Sequence, residues 1–165
     1  MSAPSASRSR PRPDVATPVR IAVSADELTG IAASLPEQLR ARGHQPVLHG
    51  EYVSDEPPDW AWASERAARD VADGVADQAV VACWTGTGAS IAANKVRSVR
   101  AALCADAATA QGARRWNDAN VLALSLRATS EAQLEEILDA WLASAPSTDE
   151  SDTRNIAHIG ELDGR

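Results

Sequence analysis

The chain has 165 residues, 44% hydrophobic, and carries 16 Lys and Arg against 23 Asp and Glu, a formal net charge of −7. That length fits one domain around a single core, and the acidic balance argues against a general nucleic-acid binder, which needs a basic surface. No apolar run approaches the roughly 18 residues of a membrane span, and the only cysteines, Cys83 and Cys104, have neither metal-site nor disulfide-framework spacing.

The first 18 residues are rich in Ser, Pro and Arg and lack the apolar stretch of a secretory signal. They predict a disordered tail and a cytoplasmic protein. VRIAVS, Val19 to Ser24, is short and β-branched and predicts a buried strand. From about Glu27 to Arg42 a helical stretch puts Leu28, Ile31, Ala32, Leu35 and Leu39 on one face. Pro36 predicts a kink or restart within it, and Gly43 a stop. A short strand follows at Pro46 to His49. The polar loop EYVSDEPPD then leads into a helix over Trp60 to Val71.

QAVVAC, Gln78 to Cys83, is the clearest strand, followed by WTGTGAS and a helix through Ile91 to about Lys95. RAALCA predicts a fourth strand over Arg100 to Ala105, with Asp106 capping the helix that runs to about Arg115. NVLALS, Asn120 to Ser125, is the fifth strand. A helix over Glu131 to Ala143 carries Leu134, Ile137, Leu138 and Trp141. The polar stretch 146–165 has a weak helical run near Ile156 to Leu162 and is read as a C-terminal tail that reaches a partner subunit. The domain proper is 19–145. Strands alternating with helices predict a three-layer α/β/α, Rossmann-like domain with a five-stranded parallel sheet. Ligands in such sheets bind at the carboxyl ends of the strands, so the loops after Ser24, Cys83, Ala105 and Ser125 are the places for chemistry.

The loop after Cys83 stands out. Its small residues let the backbone approach a ligand, and amides at a helix start hold anions. A thiol there feels the positive end of the helix dipole, which favours a thiolate base or nucleophile. A buried structural cysteine is the competing reading of the same position. Elsewhere the plainer readings lead. Cys104 reads as core, His44 and His49 as solvated or structural, and Trp141 as core or subunit interface. Trp60 and Trp62 read as packing at the edge of the site.

The run CWTGTGASIAANKVRSVRAALCADAATAQGARRWNDANVLALSLR resembles the central block of the type B ribose-5-phosphate isomerase and galactose-6-phosphate isomerase family. That block reads approximately C-G-T-G-x-G-x-S-I-A-A-N-K, then R-A-x-x-C, H-N-D-x-N-V-L and an Arg. The similarity is dense from Cys83 to Arg127 and extends from Arg20 to about Leu142. It implies aldose–ketose isomerisation through an enediol, with Cys83 as base and Thr85 beside the reacting oxygens. The amides of Gly86 to Ser90 (Gly86, Thr87, Gly88, Ala89 and Ser90) would stabilise the enediolate, and Asp26 and Asn117 would bind sugar hydroxyls. Arg127 matches the Arg that ends the block. The resemblance further implies no metal or organic cofactor, and a homodimer or dimer of dimers with a shared site.

The chain departs from the pattern at Glu27 and Trp116, each in place of a His. Trp84 replaces a Gly, and Arg154 with His158 stand where two arginines hold phosphate. Trp116 cannot shuttle a proton but can stack on a sugar or fill space. The expected substrate is therefore a sugar phosphate or a related small sugar. An epimerase or dehydratase working through the same enediolate, or a non-catalytic sugar-binding paralogue, are the competing functions. The G86-T87-G88 loop is too short for a dinucleotide fingerprint.

Overall fold

A computed structural model describes residues 18–163; the tail predicted for 1–18 lies outside them except for Pro18. The strands are β1 (Arg20–Ala25), β2 (Gln45–Gly50), β3 (Gln78–Cys83), β4 (Ala101–Leu103) and β5 (Val121–Ser125). The helices are α1 (Leu35–Ala41), α2 (Trp60–Ala72), α3 (Thr87–Ala93), α4 (Ala107–Asn117), α5 (Glu131–Leu142) and α6 (Glu150–Leu162). All strand pairs are parallel, in the order β2-β1-β3-β5-β4.

Alternation along the strands divides the core between two faces. Ile21, Val23, Leu122 and Leu124 meet Leu35, Leu39, Leu134, Ile137, Leu138 and Trp141 on one side of the sheet. Ala22, Ala79, Val81 and Ala123 meet Ala67, Ala68, Ala89 and Ala93 on the other. This gives the predicted three-layer α/β/α architecture. Alanine dominates the second face, so α2 and α3 lie close on the sheet, and large side chains are confined to the first.

The predicted helix over Glu27–Arg42 is divided. A 3-10 turn at Gly30–Ala32 precedes α1, and Gly30 adopts φ +53°. Pro36 sits in the first turn of α1, where its missing N–H needs no partner. Strand β4 is shorter than predicted and forms the sheet edge. Asn94 completes that edge: its Oδ1 accepts from the Ala101 amide at 2.8 Å, and its Nδ2 donates to the Ala101 carbonyl at 2.9 Å. Asp106 caps α4 as predicted, accepting from the Thr109 amide at 2.7 Å. Helix α6 is longer than the sequence suggests. It buries none of its side chains, so no core-facing periodicity marks it.

Among the described residues no helix is long and apolar enough to cross a membrane.

Candidate active site

The order β2-β1-β3 means that the chain leaves β1 to one side and returns on the other. The carboxyl ends of β1 and β3 therefore flank a topological switch point, where open α/β sheets bind ligands. Ala25 pairs with Ala82, so Asp26 and Cys83 emerge side by side. They line a cleft of about 300 Å³ with Trp60, Trp84, Thr85, Thr87 and Gly88.

Cys83 is buried, at 4% exposure, and receives the Ala89 amide hydrogen on Sγ at 3.4 Å. The turn that makes this contact depends on Gly86, which adopts φ +75° at the start of α3. A Cβ there would lie 2.6 Å from Leu103 Cδ1 and 2.8 Å from the Leu124 backbone C and O. Gly86→Ala is expected to destabilise the protein by at least about 2 kcal/mol, since left-handed backbone alone costs a side chain about 1–2 kcal/mol. Urea denaturation measures this, and an unchanged midpoint would show that the turn can relax.

Thr85 and Thr87 share a hydroxyl–hydroxyl hydrogen bond of 2.7 Å over the same loop. Asp26 presents a buried Oδ1 without a hydrogen-bond partner. Burial raises its carboxyl above the ordinary range against the pull of its own backbone, and the carboxylates of Glu27 and Asp59 push in the same direction. Three carboxylates thus crowd this end of the cleft, and no Lys or Arg lines it.

The loop after β5 is laced to the loop after β3. The Leu126 amide donates to the Cys83 carbonyl at 3.0 Å, and the Arg127 amide to the Trp84 carbonyl at 3.1 Å. Arg127 is therefore beside Trp84 at the exposed rim, outside the cleft lining. Glu27 is exposed next to Asp26, and Ser90 is half-buried within α3.

Trp116, Asn117 and His158 lie elsewhere. They line a second hollow of about 470 Å³ with Asn94, Arg100 and residues of α6, and its lining shares no residue with the cleft. His158 Nδ1 is 3.0 Å from Glu161 Oε2. Arg154 is exposed on α6 and lines neither cavity. Within one chain the predicted site is thus assembled only around Cys83.

Two neighbours in the N-D-x-N run have structural duties. Asp118, at φ +46°, accepts from Arg100 Nη2 at 3.0 Å, and Asn120 Oδ1 accepts the Arg100 amide at 2.8 Å. The plainer readings of other residues also hold. Cys104 is buried, and burial together with Asp106 pushes its thiol up to about 11. His44 is buried and accepts from the Val19 amide at 3.4 Å, with burial and Arg42 lowering its proton affinity. His49 is held by Glu56 at 3.1 Å and Asp70 at 2.7 Å. Trp60 is the residue that sequence reasoning set aside as packing. The signal for it was positional: it opens the helix that follows the carboxyl end of β2.

The family model for Ribose/Galactose Isomerase matches residues 21–159. The chain is 35% identical over 145 residues to galactose-6-phosphate isomerase subunit LacB of Clostridium acetobutylicum, covering 86% of this chain and 82% of that protein. It is 38% identical over 103 residues to ribose-5-phosphate isomerase B of Escherichia coli, covering 62% of this chain and 68% of that one. The solved type B ribose 5-phosphate isomerase of Trypanosoma brucei superposes with a TM-score of 0.81 at 36% identity, over 88% of this chain and 99% of that one.

Proposed function

The chain belongs to the ribose/galactose isomerase family, and from that premise we propose that it interconverts an aldose and a ketose of a sugar phosphate or related small sugar, with Cys83 as the base. Cys83 Sγ takes a proton from the hydroxyl-bearing carbon beside the carbonyl, forming an enediolate, and returns it to the former carbonyl carbon, while the hydroxyl proton passes between the two substrate oxygens. The observation that carries this reading is the pairing of Cys83 Sγ, held by the Ala89 amide, with an unpartnered Asp26 oxygen at the switch point. Thr85 and the amides of Thr87 and Gly88 are the donors for developing charge on the substrate oxygens, because the Gly86, Ala89 and Ser90 amides donate to the Cys83 carbonyl, Cys83 Sγ and the Gly86 carbonyl, respectively. One preorganised donor contributes about 3 kcal/mol. Asp26, which lines the cleft beside Cys83, takes a sugar hydroxyl.

A second copy of the chain completes the site in this reading. Trp116, Asn117, Arg154 and His158 then reach the cleft from the partner. The exposure of Trp84, Trp116, Leu103 and Ile159 supports such a contact, because these are large apolar side chains left in solvent by one chain. No Lys or Arg lines the Cys83 cleft, so a phosphate group would draw its cations from Arg127 at the rim or from the partner's residues.

Deuterium exchange in D2O, followed by NMR over aldoses and ketoses with and without phosphate, tests the proposal. Label entering the carbon beside the carbonyl, together with formation of the isomeric sugar, is the expected result. Label with inversion but no ketose would make the enzyme an epimerase, and no exchange with any sugar would overturn the enzymatic reading.

Asp26→Asn separates binding from stability. A carboxyl whose folded proton affinity is raised loses folding stability as pH climbs from its ordinary value through the raised one. At pH 7 the wild-type chain therefore carries that penalty and the amide does not. The variant is expected to melt at a higher temperature at pH 7, with the difference shrinking towards pH 4. Its kcat/KM is expected to fall about 10–100-fold through the lost charged hydrogen bond. A lower melting temperature at pH 7 would show that the carboxylate stabilises the fold.

A further inference from the structure

We propose that Trp60 is a substrate-contacting residue, its indole forming the wall against which the C–H face of the sugar carbon chain lies. This rests on the isomerase reading and names what the cleft holds next to the thiol. Trp60 lines the same cleft as Asp26 and Cys83, and its side chain stays 45% exposed there, as that of Trp84 does at 54%. Its ring rests on the Cys83 loop: a Cβ on Gly88 would lie 2.9, 3.0 and 3.2 Å from three atoms of the indole's six-membered ring. Glycine at 88 thus allows the ring to sit directly over the backbone that carries the base.

The position of the indole is fixed from behind. Asp59 and Trp60 start α2 at the end of the 51–59 loop, and Glu56 pins that loop by accepting the Gly50 amide at 3.1 Å and contacting His49 at 3.1 Å. His49 is held in turn by Asp70 of α2 at 2.7 Å. Gly50, at φ +66°, packs so closely that a Cβ would lie 2.7 Å from Ala63 Cβ, which clamps the first turn of α2 to the end of β2. A large, rigid apolar face held open beside a few convergent polar groups is the usual composition of a small-molecule site.

The polar complement matches a polyhydroxylated carbon chain. Asp26, Thr85 and Thr87 offer hydroxyl partners, while Trp60 and Trp84 offer faces for C–H groups. Asp59 and Glu27 crowd Asp26, so the part of the substrate lying here is uncharged, and any phosphate points away from α2.

Steady-state kinetics on Trp60→Ala, Trp60→Leu and Trp60→Phe test this, using the sugar that gives the fastest exchange with the wild-type enzyme. Leucine keeps an apolar side chain over Gly88 without the ring face, and phenylalanine keeps the face. The expected result is a KM about tenfold higher in the Ala and Leu variants, with kcat within about threefold of wild type and most of the KM restored by Phe. Equal KM in all four proteins would overturn the proposal while leaving the isomerase reading intact. So would a Leu variant that behaves as wild type, since the residue would then be filling space. Absence of exchange by the wild-type enzyme would remove the isomerase reading, and this inference with it.

Discussion

Replacing Cys83 by alanine is expected to lower kcat/KM by about 10²–10⁴-fold, the range contributed by a positioned general base, and to abolish deuterium exchange beside the carbonyl. The physical case rests on placement. Cys83 ends a central strand and has its sulfur at the base of the cleft, where the Ala89 amide hydrogen reaches it. Asp26 is the other acid–base group among the cleft-lining residues. The substitution removes one buried sulfur from an Ala-rich face, so stability should fall by no more than about 1.5 kcal/mol. The variant should therefore remain folded and still bind substrate, visible as a ligand-induced rise in melting temperature. Exchange that persists in Cys83→Ala would assign the proton transfer to another group.

Trp141→Ala is the substitution with the largest expected effect on the fold itself. Trp141 is 1% exposed and packs with Leu134, Ile137 and Leu138 against the sheet. Its Nε1 donates to Gln78 Oε1 at 2.6 Å, tying α5 to the start of β3. The Arg114 guanidinium lies 5.5 Å from the ring centroid, tying α5 to α4 as well. Truncation removes the largest buried side chain and opens a cavity between three elements, which costs about 3–5 kcal/mol. That is a large share of the roughly 5–15 kcal/mol that holds a domain together. Trp141→Phe keeps most of the volume but loses the hydrogen bond, and should cost about 1–3 kcal/mol. Chemical denaturation of both variants measures the two losses. A Phe variant as unstable as the Ala variant would mean that the Gln78 contact, rather than packing, carries the residue's contribution.

The sequence made the architecture legible because its strands are short apolar runs bounded by turn residues, and because its alternation of strands and helices admits one sheet type. QAVVAC was recovered residue for residue, as Gln78–Cys83. The errors have identifiable physical causes. The stretch from Glu27 to Arg42 carries helical periodicity, but Gly30 takes a left-handed conformation and the chain restarts around Pro36. Strand β4 borrows its outer hydrogen bonds from the Asn94 side chain, which no hydrophobic pattern records. Helix α6 buries none of its side chains within the chain, and its apolar residues, Ile156, Ile159 and Leu162, begin about two turns after the helix does, so the sequence marks only its second half.

The site divides in the same way. Residue types and spacing singled out the Cys83 loop as a candidate, because a strand, a glycine-rich turn and a helix start are local events within one short segment, and the family resemblance supplied the role expected of the thiol. Asp26 followed from the family resemblance, at one of the strand carboxyl ends where open sheets bind ligands. What only the tertiary structure decided is which distant segments share a cavity. Strand order brings β1 beside β3 and so Asp26 beside Cys83. The anchoring of the 51–59 loop turns Trp60 from a helix-start residue into a cleft wall. Trp116, Asn117 and His158, which the family resemblance assigns to the substrate, occupy a different hollow of the same chain. Sequence spacing cannot reveal such groupings, because contacts across a parallel sheet depend on strand order and crossover direction rather than on distance along the chain.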